Sequence, residues 1–228
     1  MTDMWSLLSV DQAEALCSGI KSSQEVYCKV HSLYVSSRLA EGLATAKDVR
    51  QFVSENWYEQ TFRPVYTQKQ TYGQLKESEA LALYSEKTGL TVRQCKNAVN
   101  KQIPFLIASP DGLAFRQGQF VTAVEVKTIR NIRNYNGIRC CVFDGRRLLV
   151  RKQSKLYGQL QFTMAVFNIK CMDLVLYFPE KQCIETVIVK RDFSYLSANL
   201  SLLFNNYTQY LVPHLQRKLS ELSQAFSI

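Results

Sequence analysis

Residues 122–129 (TAVEVKTI) constrain the fold of this chain more than any other segment. Successive side chains of a strand point to opposite faces, so Glu125 and Lys127 share one face while Val124 and Val126 share the other. Apolar residues on both sides predict a central strand of a sheet, where an unpaired charge is costly to bury. Taken alone, the carboxylate and the ammonium group are best interpreted as a structural ion pair.

Helical patterns flank a run of strand patterns along the chain. Helices are predicted in residues 1–60 and over 75–87, 154–168 and 195–226, the last interrupted at Pro213, which lacks a backbone donor. Strands are predicted over residues 103–109, 120–129, 138–143, 148–150, 172–178 and 185–190. A linker-like stretch covers residues 62–74, and Thr88-Gly89 is expected to end the helix that follows it. This order predicts a mixed α/β fold.

Composition excludes several classes of protein. The apolar runs are far shorter than the roughly 18 residues that span a bilayer, and the first residues lack the basic start of a secretory signal. The 7 cysteines form no CxxC pair and the only histidines are His31 and His214, so a zinc cluster and a disulfide framework both fit poorly. We therefore expect an intracellular protein with reduced thiols, in either the nucleus or the cytoplasm.

Positive charge is concentrated in one segment. The chain has 28 basic and 19 acidic residues, a formal net charge of +9. Eight basic residues lie in residues 130–155 against the single acid Asp144: Arg130, Arg133, Arg139, Arg146, Arg147, Arg151, Lys152 and Lys155. Such a field suits a polyanion such as DNA, although a solvated basic loop is the alternative. Nearby aromatic residues, Tyr135 and Phe143, would either stack on an unpaired base or pack in the core.

Asp111 lies in a Pro-Asp-Gly turn that follows a predicted strand. We expect this turn to return the chain as a hairpin and to bring Asp111 beside Glu125. Two carboxylates at one point repel unless a cation lies between them, and hard oxygen ligands favour magnesium or manganese over zinc. The alternative is an ordinary turn, in which aspartate is common.

Two further polar residues lie on apolar helix faces. Glu77 is spaced from Ala80, Leu81 and Tyr84 so that all four share one face of a helix. A similar pattern places Gln161 on the apolar face of its own helix. Because buried polar groups need partners, both residues indicate a polar site beneath the two helices, or else a satisfied core hydrogen bond.

Four segments together form a pattern, in the order first helix, turn, strand and second helix. They are Gly73 to Tyr84 with G-x3-E-x2-A-x3-Y spacing, the SPDG turn from Ser109, Glu125-Val-Lys127, and the Y-x-Q-x-Q run from Tyr157 to Gln161. In this order they resemble the PD-(D/E)xK nuclease superfamily, and within it the lambda-exonuclease-like branch of YqaJ-type viral recombinases and alkaline exonucleases. The resemblance covers about residues 73 to 178 and implies a central mixed β-sheet flanked by helices, a restriction-endonuclease-like core.

We predict a single nuclease domain over residues 1–228. The resemblance implies that residues 73–191 form the catalytic core, and the helical patterns predict a helical N-terminal part over residues 1–60 and C-terminal helices over residues 192–228. It implies that Asp111 and Glu125 hold one or two divalent ions, with Mg²⁺ expected and Mn²⁺ as a substitute. In this family the carbonyl at the position of Val126 is a further ligand, and Glu77 would bind a second ion or its water.

Further roles follow from the same resemblance. Lys127 would orient or deprotonate the attacking water, or stabilise the developing charge, and Gln161 would support the site by hydrogen bonding. The N-terminal helices lack a clear arginine-containing substrate motif, for which Arg38 and Arg63 are the candidates.

The resemblance implies a 5′–3′ exonuclease that acts on duplex DNA ends in recombination or repair. The alternatives are an endonuclease for DNA or RNA at the same metal site, and a catalytically silent DNA-binding protein. Homo-oligomers such as ring-shaped trimers occur in this branch, and a single-strand-annealing protein is an expected partner.

Overall fold

The computed structural model describes residues 34–57, 68–95, 97–129 and 140–217. Five α-helices and ten β-strands lie within these ranges. The helices are α1 (Ser37–Thr45), α2 (Val49–Trp57), α3 (Gln68–Thr88), α4 (Lys155–Phe167) and α5 (Phe193–Asn206). The strands are β1 (Val35–Ser36), β2 (Thr91–Arg93), β3 (Ala98–Asn100), β4 (Ile103–Ala108), β5 (Gly112–Arg116), β6 (Gln119–Thr128), β7 (Cys141–Phe143), β8 (Leu148–Val150), β9 (Cys171–Phe178) and β10 (Cys183–Lys190). Predictions for residues 1–33, Arg63 and residues 218–226 lie outside the described ranges.

The central sheet has five strands in the order β10-β9-β6-β5-β2. Strands β6 and β9 run parallel, and all other neighbours are antiparallel. A parallel pair requires a crossover connection, and the chain between β6 and β9 supplies one that contains α4. The predicted fold is therefore confirmed, and the strand that carries Glu125 and Lys127 lies in the middle of the sheet.

The two faces of β6 pack against different layers. Val124 and Val126 lie in a buried cluster with Ala80, Leu81 and Tyr84 of α3. The opposite face of the sheet is covered by α4, and α1 packs on α4. The alternation predicted for this strand is therefore present, with its apolar side toward α3 and its charged side toward α4.

The turn that contains Asp111 does not form a hairpin, and that prediction is wrong. Strand β4 before the turn pairs with β1 and β3 in a separate three-stranded sheet, so the turn passes the chain from one sheet to the other. The chain reverses instead between β5 and β6, at Gln117 and Gly118, whose φ angles are 51° and 79°. Two positive φ angles are what a tight hairpin turn requires.

Helix α3 is longer than predicted. It begins at Gln68 instead of residue 75, so the second half of the predicted linker is helical. This half contains no proline, and its single glycine costs a helix only about 1 kcal/mol relative to alanine. The helix ends at Thr88, as predicted, and Gly89 adopts a left-handed φ of 67°.

Helix α4 begins and ends where the sequence predicts. The Ser154 hydroxyl caps it by accepting a hydrogen bond from the Tyr157 backbone N–H at 3.2 Å, and Asn168 ends it with a φ of 50°. Inside this helix, a Cβ at Gly158 would lie 2.6 Å from the carboxylate of Glu41 on α1. Glycine at this position therefore allows the close approach of α1 to α4.

The C-terminal helices depart from regular α-helix near the predicted interruption. Asp192 caps α5 by accepting from the Tyr195 N–H at 3.0 Å. A π-helical turn, Tyr207–Leu211, then precedes residues 212–217, since Pro213 has no N–H with which to continue the α-helical pattern. Within the described ranges, no helix is long and apolar enough to cross a membrane.

Candidate active site

Asp111 and Glu125 lie side by side in the structure. Gly112, the first residue of β5, pairs with Val124 of β6. Asp111 immediately precedes Gly112 and therefore lies beside the residues of β6 that follow Val124. There the Asp111 carboxylate accepts a hydrogen bond from the Val126 N–H at 2.6 Å. Burial and then the charge of Glu125 raise the pKa of Asp111 to about 8. The two carboxylates are therefore close enough to repel each other.

Glu125 is buried, and its carboxylate accepts hydrogen bonds from two side chains. The residue is only 3% exposed. Its Oε1 accepts one hydrogen bond from Lys127 Nζ and one from Gln159 Nε2, each at 2.7 Å. Burial alone would lower the pKa of Lys127, but the charge and hydrogen bond of Glu125 bring it above its ordinary value. Lys127 is therefore an ammonium group bound to Glu125.

Glu77 and Arg38 face the same site from two helices. The pKa of Glu77 on α3 is raised by partial burial and then by the charge of Glu125, while Lys127 and Arg38 act in the opposite direction. Arg38, near the start of α1, lies one helical turn before Glu41, which contacts α4 at Gly158. The packing of α1 on α4 thus brings a second cation to the carboxylates. Arg38 was only one of two sequence candidates, and Arg63 lies outside the described residues.

Gln161 does not reach this cluster, which corrects its predicted role. Its Nε2 donates to the Lys190 carbonyl at 3.0 Å, and its Oε1 accepts from the Asp192 N–H at 2.7 Å. Both partners are backbone groups at the end of β10, so Gln161 is a satisfied core residue. Gln159, two positions earlier in the Y-x-Q-x-Q run, contacts Glu125 instead. The run contained both residues, but the spacing along the helix face favoured the more deeply buried one.

The predicted DNA-binding residues divide into three groups. Arg130, Arg133 and Arg139 lie outside the described residues. Arg151 and Lys152 have partners within the protein: Arg151 Nε donates to the Cys141 carbonyl at 2.9 Å, and Lys152 Nζ binds Asp192 Oδ2 at 2.7 Å. Arg146 and Arg147 lie at the exposed tip of the β7–β8 hairpin, and Lys155 is exposed at the start of α4.

The oxygen atoms at the site suit a hard divalent cation. Among the residues that the structure describes, no three His, Cys, Asp or Glu side chains form a group that could hold a metal ion. Mg²⁺, however, typically binds one or two carboxylates and keeps its remaining waters or substrate oxygens. Asp111 and Glu125 supply two carboxylates, and the Val126 carbonyl belongs to the same residue of β6 as the N–H that binds Asp111. The donor set of Asp111, Glu125 and the Val126 carbonyl therefore fits Mg²⁺ or Mn²⁺.

A central strand with Glu125 and Lys127 two residues apart, next to a strand preceded by Asp111, defines the class of PD-(D/E)xK nuclease folds. The chain belongs to the family of YqaJ-like viral recombinase domains, whose family model matches residues 27–170. The predicted family is therefore confirmed.

Solved structures agree on the fold. The chain is similar to an alkaline exonuclease, LHK-Exo, from Laribacter hongkongensis, with a TM-score of 0.66 and 19% identity over 87% of this chain and 100% of that one. The same values hold for LHK-Exo in complex with dAMP. A phage-related exonuclease from Haemophilus somnus 129PT matches with a TM-score of 0.51 and 13% identity over 82% of this chain and 99% of that one. No curated protein sequence matches the chain.

Proposed function

We propose that this chain is a Mg²⁺-dependent DNA exonuclease that hydrolyses phosphodiester bonds. The observation that carries the proposal is the convergence of Asp111, Glu125 and Lys127 at the middle of the central sheet. Family membership and the similarity to two exonucleases support the substrate and the reaction. LHK-Exo binds dAMP, and a deoxynucleoside monophosphate is the product that a DNA exonuclease releases.

Each residue of the site would have its own role in hydrolysis. Asp111, Glu125 and the Val126 carbonyl would hold the ion, and Glu77 would bind a second ion or a bound water. When bound, Mg²⁺ supplies a water of lowered pKa and offsets the charge that builds on the phosphate. Lys127 donates to Glu125 Oε1, and its ammonium group would orient the attacking water or stabilise a phosphate oxygen. These roles account for the burial of Asp111, Glu125 and Lys127 together, which is otherwise energetically unfavourable.

Other residues position the machinery or the substrate. Gln159 holds Glu125 Oε1 from α4, and Arg38 adds positive charge on the side of Glu77. Arginine matches the geometry of a phosphate through its fork of donors. We therefore assign to Arg38 a contact with a DNA phosphate. We further propose 5′–3′ polarity on duplex ends during recombination or repair, as the resemblance of the sequence implies.

Linear and circular duplex DNA distinguish the proposed activity from its alternatives. With Mg²⁺ we expect mononucleotides from linear DNA, no nicking of the circle, and complete loss of cleavage in a chelator. A 5′-labelled duplex should release its label first. Nicking of the circle would indicate an endonuclease, and the absence of any cleavage would indicate a silent DNA-binding protein.

Gln159 and Gln161 should differ in what their replacement does. Gln159→Leu removes a hydrogen bond to Glu125, so we expect a 10- to 100-fold loss of cleavage rate, about the effect of losing an outer partner of a metal ligand. Gln161→Leu removes two backbone contacts in the core and should instead lower stability, by about 1–3 kcal/mol for each buried group left unsatisfied. Single-turnover cleavage and thermal unfolding of both variants check this. A folded Gln161→Leu protein with a lower cleavage rate than Gln159→Leu would contradict the assignment.

A further inference from the structure

The β7–β8 hairpin has a buried base and an exposed tip. Cys141 and Phe143 lie two residues apart on one strand and therefore share a face. Yet Cys141 is 3% exposed, whereas Phe143 is 63% exposed. Leu148, the partner of Phe143 on β8, packs against the core. The hairpin therefore stays against the core along β8, while Phe143 and the turn are exposed. Core packing, one of the two interpretations of Phe143 from the sequence, is therefore excluded.

The tip of this hairpin is well defined and positively charged. The Asp144 N–H donates to the Arg147 carbonyl at 3.1 Å. Its Oδ1 accepts from the N–H groups of Arg146 and Arg147 at 3.0 and 2.9 Å. Gly145 has a φ of 92°, which suits glycine. These contacts fix the backbone of the turn. Both arginines are exposed, and Arg147 Nε lies 3.6 Å from Asp144 Oδ2 in an exposed ion pair.

The base of the hairpin leads into the helix that contacts the candidate active site. After β8, the Arg151 side chain binds the Cys141 carbonyl. The chain then enters α4, whose Gln159 contacts Glu125. Only residues 151–154 separate β8 from α4, so the hairpin adjoins the end of α4 that precedes Gln159.

We propose that the β7–β8 hairpin grips a single strand of DNA beside the active site, with Phe143 stacked on an unpaired base and Arg146 and Arg147 against its phosphates. An aromatic ring next to arginines is the combination that binds single strands without sequence preference, because every base has a π-face and every nucleotide a phosphate. The choice of DNA as the strand depends on the proposed function. The hairpin then accounts for how the enzyme keeps hold of a strand while its end is shortened.

Binding is measured in a Glu125→Gln background, which prevents cleavage, with a short single strand that contains one 2-aminopurine. We expect Phe143→Ala to weaken binding about tenfold, the effect of losing one stacked base, and to abolish quenching of 2-aminopurine. Phe143→Tyr should restore both. Phe204→Ala, which removes an exposed ring from α5, is the matched control and should change neither. For blunt duplex DNA, whose bases are paired, Phe143→Ala should reduce the affinity less than half as much as it does for the single strand.

The salt dependence of DNA binding distinguishes the contribution of the Phe143 ring from that of the two arginines. Arg146→Ala combined with Arg147→Ala should reduce the slope of log K against log salt by about 1.4 for a single strand, whereas Phe143→Ala should leave the slope unchanged. Unchanged binding by Phe143→Ala, failure of Phe143→Tyr to restore it, or an equal loss on blunt duplex DNA would overturn the inference. These results do not depend on cleavage, so a wild-type protein without nuclease activity would overturn the proposed function alone.

Discussion

Replacement of Glu125 by Gln should lower the cleavage rate by about 10³-fold. The charge stabilisation that a bound metal provides is worth several kcal/mol, and about 4 kcal/mol corresponds to about 10³ in rate. Glutamine keeps the size of the side chain and an oxygen that accepts from Lys127 and Gln159, both at 2.7 Å in the native protein. The fold should therefore persist while the charge that holds the ion is lost. Single-turnover cleavage at saturating Mg²⁺ measures the effect.

The matched control is Glu185→Gln, which neutralises an exposed carboxylate on β10 of the same sheet. It should cleave DNA at the wild-type rate. Glu125→Gln should still bind DNA as tightly as wild type, because the positive charge of the hairpin and α4 is unchanged. Cleavage by Glu125→Gln within tenfold of wild type would show that Glu125 holds no catalytic ion.

Much of the sheet could be predicted because a buried strand has a recognisable pattern of apolar residues. Strand β6 carries apolar residues on both sides of its charged pair, which is typical of a central strand. Strand β5 left no such pattern, since it has five residues, starts with glycine and ends with arginine. Its connection to β6 uses Gln117 and Gly118, whereas the Asn-Gly and Asp-Gly pairs are the recognisable hairpin signals. The missing strand led directly to the wrong hairpin at Asp111.

The acidic residues of the site could be predicted, but their surroundings could not. Alternation along β6 was sufficient to place Glu125 and Lys127 on one face. Asp111 was expected beside them, but it reaches β6 through the unpredicted strand β5 and not through the expected hairpin. Gln159 and Arg38 reach the site only through helix packing, which depends on the contact between Gly158 and Glu41. The spacing of residues along a helix face indicates which of them are buried. It does not distinguish a polar group that serves a site from one that satisfies backbone atoms, as Gln161 does.

Replacement of Asp111 by Asn should raise the thermal stability of the metal-free protein at pH 8 and remove its response to Mg²⁺. The pKa of Asp111 in the folded protein is raised from 3.8 to about 8 by burial and by Glu125. Between these pH values the folded state binds more protons than the unfolded state, so the wild type loses stability as pH rises. Asparagine has no charge to bury and can still accept from the Val126 N–H. A gain of about 2–4 °C in Tm is expected for each kcal/mol.

The pH and metal dependence together make this prediction specific. At pH 4, where wild-type Asp111 is largely protonated, the two proteins should melt at similar temperatures, and the difference should grow up to pH 8. Mg²⁺ binds only the folded state and should raise the wild-type Tm with concentration, whereas the variant lacks a ligand carboxylate. Asp144→Asn is the control: backbone hydrogen bonds lower the pKa of Asp144, so its replacement should bring no gain at pH 8 and leave the Mg²⁺ response intact. If Asp111→Asn melted below wild type at pH 8 without metal, or if Mg²⁺ stabilised both proteins equally, Asp111 would be a structural turn residue and the ion would have to bind elsewhere.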